Sequence, residues 1–133
     1  MELHLKVIGL LLVSLALVHV IFPKYFNWTD ELGKLSLINR QMVYVHTFFI
    51  ALVLLLIGVL CLTSSTELIE TELGNRIAFG LGLFWVTRLF TQFFVYSPAL
   101  WRGKRFETVI HILFSLLWTY FSFVFFYIFW IGT

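Results

Sequence analysis

The chain has 133 residues, of which 61% are hydrophobic and only 12% are charged, and its formal net charge is +2. A soluble domain carries about 25% charged residues, so this composition excludes an ordinary water-soluble protein and offers no basic surface for nucleic acid. The single cysteine, Cys61, excludes an internal disulfide, a CxxC redox pair and a cysteine-rich zinc site.

Four continuous apolar stretches follow one another along the chain. Each has about the 20 residues that a helix needs to cross ~30 Å of hydrocarbon. Continuous runs favour helices over a closed barrel, whose strands alternate in polarity. They predict an all-α integral membrane protein, with one domain over residues 1–133 folded as an antiparallel up-down-up-down four-helix transmembrane bundle. The predicted helices are about 3–22, 42–62, 75–97 and 106–131, the first ending before Pro23 and the third before Pro98.

The first stretch also has the position of a signal peptide. It lacks a small-residue cleavage site, because the bulky sequence Val18-His19-Val20 stands there. We therefore expect an uncleaved helix.

The connections between the stretches differ in character. In the first, Thr29-Asp30-Glu31 is typical of a helix start, and apolar residues follow at helical spacing, which predicts a short interfacial helix over about 29–39. The second, 63–76, is polar and acidic, and Ser65 or Thr66 is expected to cap a turn there. The third, 98–106, is short and basic.

The distribution of Lys and Arg predicts the orientation. Two connections on one face carry most of these residues, and the other face has only Lys6 and Arg76. By the positive-inside rule the rich face is cytoplasmic, so both termini are predicted on the non-cytoplasmic side of a bacterial-type inner membrane. The residues on the basic face are Lys24, Lys34, Arg40, Arg102, Lys104 and Arg105.

Small and polar residues predict how the helices pack. Gly74, Ala78 and Gly82 recur at spacing four and form a stripe for close approach, which is mostly packing material in membrane helices. The last helix carries a polar stripe that is expected to face the bundle, with its Phe-rich surface toward lipid. That stripe consists of Glu107, His111, Ser115, Trp118, Thr119 and Ser122.

Every predicted helix supplies a polar group at a similar depth. Measured from the basic ends of the helices, these groups lie about 6–9 Å inside the membrane at 1.5 Å per residue. They are His19, His46, Gln92 and His111, with Arg88 one turn deeper than Gln92 and Glu107 one turn before His111. The sequence therefore predicts a polar layer in the cytoplasmic leaflet.

Arg88 is the most informative member of this layer. A charge near the bilayer centre costs roughly 2.5–3.5 kcal/mol, so it is expected to have a partner or a cavity. Glu107 is the acidic candidate within the helices of that half. Arg88 either snorkels to the headgroups, or pairs with Glu107 to fix packing, or serves a ligand or a proton.

Three occupants of the layer remain open. A divalent transition metal would be bound by His19, His46 and His111, with Glu107 as a fourth ligand or proton carrier. A haem b would take His111 with His46 or His19 as axial ligands, and Arg88 would meet a propionate. A quinone headgroup would contact a histidine, Gln92 and Arg88, and would arrive laterally through the lipid.

The leading hypothesis is thus a small membrane protein with a His/Arg/Glu site in a redox or metal-dependent role. The competing hypothesis is a non-catalytic accessory or assembly subunit, in which the polar layer only joins helices. Its partners would be the lipid bilayer and other membrane subunits, or further copies of the chain in a homo-oligomer; nucleic acid is not expected.

Overall fold

The fold is all-α. The computed structural model describes residues 1–132; 87% of the chain is helical, and that range contains no strand. Four helices are long and apolar enough to cross a membrane, namely α1 (Glu2–Tyr25), α3 (Leu37–Thr63), α5 (Glu72–Phe94) and α6 (Arg105–Gly132). The short helices are α2 (Trp28–Glu31) and α4 (Ser65–Glu70), and a 3-10 turn covers Pro98–Leu100. The predicted all-α membrane fold with four long apolar helices is confirmed, whereas the membrane concerned and the side of the termini stay predictions.

The chain divides into two compact units. One is Leu3–Ser65, which holds α1, α2 and α3. The other comprises Met1–Glu2 and the chain from Thr66 onward, and it holds α5 and α6. Each unit thus contains two of the long helices.

The sequence predicted that the first helix ends before Pro23, but the helix continues past that residue. It runs on to Tyr25, with Pro23 inside its last turn. A proline removes its own N–H and clashes with the preceding turn, but residues after it still donate normally. Phe26 N–H accordingly donates to Phe22 O at 2.9 Å and completes the final turn.

The predicted interfacial helix over about 29–39 is wrong in its extent. Only α2, a single turn, forms there, after Asn27 in the left-handed region at φ 54°. The chain then turns, and Ser36 caps a new helix by accepting from Asn39 N–H at 3.4 Å. Ile38 therefore belongs to α3, which begins five residues before the predicted start, because the cap outweighs the polar character of the residues that follow it.

The acidic connection is helical rather than a simple turn. Thr71 joins α4 to α5: its hydroxyl donates to Glu67 O at 2.6 Å and accepts from Gly74 N–H at 2.9 Å. The second contact caps α5, so this helix starts at Glu72, earlier than predicted. At its other end α5 stops at Phe94, before the Pro98 that was expected to end it.

Helices α5 and α6 pack against each other at Gly82, the last residue of the predicted stripe. Gly74, Ala78 and Gly82 are all buried. A Cβ on Gly82 would lie 2.9 Å from the ring of Phe126, so that ring rests directly on the glycine. On α6 the predicted polar stripe is only partly internal: Ser115, Trp118 and Ser122 are buried, and Glu107 and Thr119 are exposed.

A second close approach lies within Leu3–Ser65 and was not predicted. Gly9 of α1 and Gly58 of α3 are both buried, and each faces the other's backbone. A Cβ on Gly58 would stand 2.9 Å from Gly9 O, and a Cβ on Gly9 would stand 2.8 Å from Gly58 O. Two glycines thus let the backbones of α1 and α3 come together. The close packing adds dispersion contacts, which matter in lipid because burying apolar side chains there gives no driving force for helix association.

We expect Gly58→Ala to destabilise the protein by about 1–3 kcal/mol, the usual cost of overpacking. The added methyl would press on a backbone oxygen and on Val13 Cγ2 at 3.0 Å, and a backbone atom cannot rotate away. Unfolding in mixed micelles, followed by far-UV circular dichroism, measures the change. An unchanged unfolding midpoint would show that α1 and α3 do not approach closely at this point.

Candidate functional site

Arg88 has neutral partners instead of a carboxylate. It lies on α5 one turn before Gln92, and its Nη1 donates to Gln92 Oε1 at 3.4 Å. Its guanidinium carbon also lies 5.3 Å from the ring centre of Tyr96 and 5.2 Å from that of Trp118. Both distances are within the range of a cation–π contact. The positive charge is therefore held by rings and an amide, and no carboxylate among residues 1–132 forms an ion pair with it.

Gln92 connects α5 to α6. Its side chain is buried at 7% exposure, and its Nε2 lies 2.8 Å from Nδ1 of His111. Arg88, Gln92 and His111 therefore form one hydrogen-bonded chain across the two helices. A buried amide is satisfied here at both ends, as buried polar groups generally are.

The direction of these bonds fixes the proton on His111. Arg88 can only donate, so the carbonyl oxygen of Gln92 must face it and the Gln92 amide must donate to His111 Nδ1. A neutral imidazole that accepts at Nδ1 carries its proton on Nε2. In this arrangement the lone pair of His111 Nδ1 accepts from Gln92, and the Nε2–H of His111 is a hydrogen-bond donor.

Aromatic rings enclose His111. The ring of Trp101 stacks on it with centroids 3.8 Å apart and planes at 12°, and Phe93 meets it edge-on at 5.8 Å. Trp101 is carried by the connection between α5 and α6, which turns at Gly103 in the left-handed region at φ 76°. Thr108 Oγ1, 2.6 Å from the carbonyl oxygen of Trp101, ties this connection to α6.

Trp85 and Trp118 form a stacked pair beside Arg88. Their ring centroids are 5.0 Å apart with planes at 10°, and both side chains are buried. Neither indole Nε1–H has a hydrogen-bond partner among the described residues. Buried N–H groups without a partner cost free energy, so they mark a place where an acceptor would be stabilised.

The remaining predicted site residues do not join this chain of contacts. Glu107 is exposed and forms neither an ion pair nor a hydrogen bond within residues 1–132, so its predicted pairing with Arg88 is wrong. The charge is held by rings that the sequence did not place near it. His46 is likewise exposed. His19 donates from Nδ1 to Leu15 O of its own helix at 2.7 Å and contacts Phe22.

The metal version finds no support in this geometry. Among residues 1–132, no group of three or more His, Cys, Asp or Glu side chains is placed to hold a metal ion.

A groove runs along one face of α5 beside Arg88. Its volume is about 360 Å³. The lining residues recur at helical spacing from Gly80 to Thr91, and most of them are exposed. They are Gly80, Leu83, Phe84, Thr87, Arg88 and Thr91.

No family model, curated protein or solved structure matches this chain.

The sequence placed Arg88, Gln92 and His111 in one layer, and the structure brings these three together. It did not predict the rings around them. Trp85 precedes Arg88 by three residues, a helical spacing that could have suggested a contact on the same face. Trp101 lies in the connection between α5 and α6, and no periodicity relates a residue in a turn to His111.

Proposed function

We propose that this protein binds the headgroup of a quinone-class molecule at the donor cluster, by which we mean Arg88, His111, Trp85 and Trp118. An oxidised quinone carries two carbonyl oxygens on a flat ring and has no donor of its own. The cluster offers N–H donors and flat aromatic surfaces, so the two are complementary. Redox chemistry on the bound molecule is not part of the proposal.

The single observation that supports this proposal is the direction of the hydrogen bonds. From Arg88 through Gln92 to His111, every donor–acceptor choice follows from the guanidinium being unable to accept. These hydrogen bonds leave the Nε2–H of His111 as a donor without a hydrogen-bond partner among residues 1–132. Among residues 1–132 the Arg88 guanidinium forms no ion pair and the two indole N–H groups have no partner, so the cluster presents several donors.

The direction of the hydrogen bonds also ranks the three predicted occupants by how well each fits the cluster. A metal or haem iron would require Gln92 and His111 to exchange their donor and acceptor roles, so that Nε2 of His111 is free as a ligand. A quinone oxygen needs a donor, which His111 has. Quinone binding is therefore the version that the geometry favours.

Replacing Arg88 with glutamine is expected to weaken quinone binding at least tenfold. A hydrogen bond to a charged group contributes about 1.5–3 kcal/mol, and 1.4 kcal/mol corresponds to a factor of ten. The measurement is titration of the protein in lipid nanodiscs with decylubiquinone, followed by quenching of tryptophan fluorescence. Trp85 and Trp118 report directly, because both belong to the cluster.

Arg76→Gln is the matched control. This arginine lies on the same helix but is exposed and paired with Glu72, so its loss should leave binding unchanged. Absence of saturable binding to the unaltered protein would refute the proposal, as would equal affinity in the Arg88→Gln variant.

The accessory-subunit hypothesis is also favoured by one observation. The Gln92–His111 bond joins α5 to α6, which is what interhelical polar contacts in membranes commonly do. His111→Asn distinguishes the two functions when stability and quinone affinity are measured on the same sample. Loss of stability without any quinone binding in the parent protein supports the accessory role, and loss of affinity in a stable variant supports the binding site.

A further inference from the structure

We infer that the α5 groove holds the apolar tail of the molecule whose headgroup the donor cluster binds, so that the ligand is a long-tailed quinone and not a small soluble one. This inference rests on the proposed function and adds the chemical class of the ligand's tail.

The groove and the donor cluster meet at Arg88. Arg88 lines the groove, and the same side chain belongs to the donor cluster, where it contacts the ring of Trp118. From Arg88 to Gly80 is eight residues, or about 12 Å along the helix axis. A ligand whose ring lies at the guanidinium could therefore extend a chain along α5 toward Gly80.

The wall of the groove is apolar in its chemistry. Its two threonines do not offer free donors, because Thr87 Oγ1 donates to Leu83 O at 2.8 Å and Thr91 Oγ1 donates to Thr87 O at 3.0 Å. Leu83 and Phe84 add apolar side chains. A hydrocarbon chain matches this wall, whereas a ligand that needs hydrogen-bond donors would find only Arg88 there.

Gly80 lies at the end of the groove that is farthest from Arg88 along α5. A Cβ built on it meets no heavy atom within 4 Å, so a side chain there would enter the groove without disturbing the helix packing. This differs from Gly82, on which Phe126 rests. Gly80 is thus a position where bulk can be added to test the groove by itself.

The test compares two ligands on two variants in nanodiscs, again by tryptophan quenching. The ligands are decylubiquinone and the same ring without its decyl chain. In Gly80→Trp we expect decylubiquinone to bind about tenfold more weakly and the tailless ring to bind as in the parent protein. Gly80→Ala, which leaves the groove largely open, should bind both normally. An added tryptophan raises the background, so binding is fitted to the midpoint of the titration and not to its amplitude.

The outcomes separate this inference from the proposed function. If the tailless ring binds and Gly80→Trp leaves the decylubiquinone affinity unchanged, the groove is filled by bulk lipid alone and the inference is overturned. If Gly80→Trp weakens both ligands equally, the effect is not on the tail, and the inference is again overturned. If neither ligand binds the parent protein, the proposed function itself fails. Thr87→Phe fills the same groove further along and replaces Gly80→Trp should that variant fold poorly.

Discussion

Replacing Gly74 with alanine is expected to destabilise the protein by about 3 kcal/mol, at the upper end of what overpacking usually costs. The added Cβ would overlap the carbonyl oxygen of Glu67 and would lie 2.5 Å from Cα of Leu68. These are backbone atoms of α4, so relief requires the short helix to move away from α5. Unfolding in mixed micelles, followed by circular dichroism, measures the loss.

Gly80→Ala on the same helix is the matched control for this prediction. It makes the same chemical change at a position with nothing within 4 Å, and alanine is the better helix former by about 1 kcal/mol. We expect this variant to be as stable as the parent or slightly more stable. Equal midpoints for the two variants would show that α4 does not pack on Gly74.

Replacing Trp118 with alanine is expected to cost about 3 kcal/mol, because a buried aromatic side chain is lost and its neighbours cannot fill the space. Trp118 is 6% exposed and stacks on Trp85 at 5.0 Å and on Phe114 at 5.4 Å. It also carries one of the two rings that hold Arg88. Removing it should therefore lower both the unfolding midpoint and the affinity for decylubiquinone.

The Trp118→Phe variant separates these two effects. It keeps a stacked ring but removes the indole N–H, which has no partner among the described residues and so contributes no hydrogen bond to stability. We expect most of the stability to remain and the quinone affinity to fall. Unchanged affinity in Trp118→Phe would remove this indole from the donor cluster.

The site could be predicted only in part, and the reason lies in helix geometry. Depth in the membrane follows from counting residues along a helix, which is why Arg88, Gln92 and His111 were expected in one layer. Whether two residues at one depth meet depends on how each helix is rotated about its axis. Glu107 shares a helix with His111, but it is exposed and does not reach Arg88.

The Arg88 contacts illustrate the same limit. The sequence suggested Glu107 as a partner for Arg88, because opposite charges attract over a distance and are easily recognised in a sequence. The structure holds the guanidinium with the rings of Tyr96 and Trp118 and the amide of Gln92. Such contacts depend on ring orientation, which composition and spacing do not encode.

The sequence alone determined that the chain is all-α with four spans, because transfer of apolar residues from water to lipid is a local and additive property of each segment. It also determined the small-residue stripe on α5, since that stripe repeats at the period of one helix. Only the tertiary structure decided that Gly9 faces Gly58, that Trp101 covers His111 and that Glu107 is left outside. These are contacts between helices, and they depend on rotation and shape at the point where two surfaces meet.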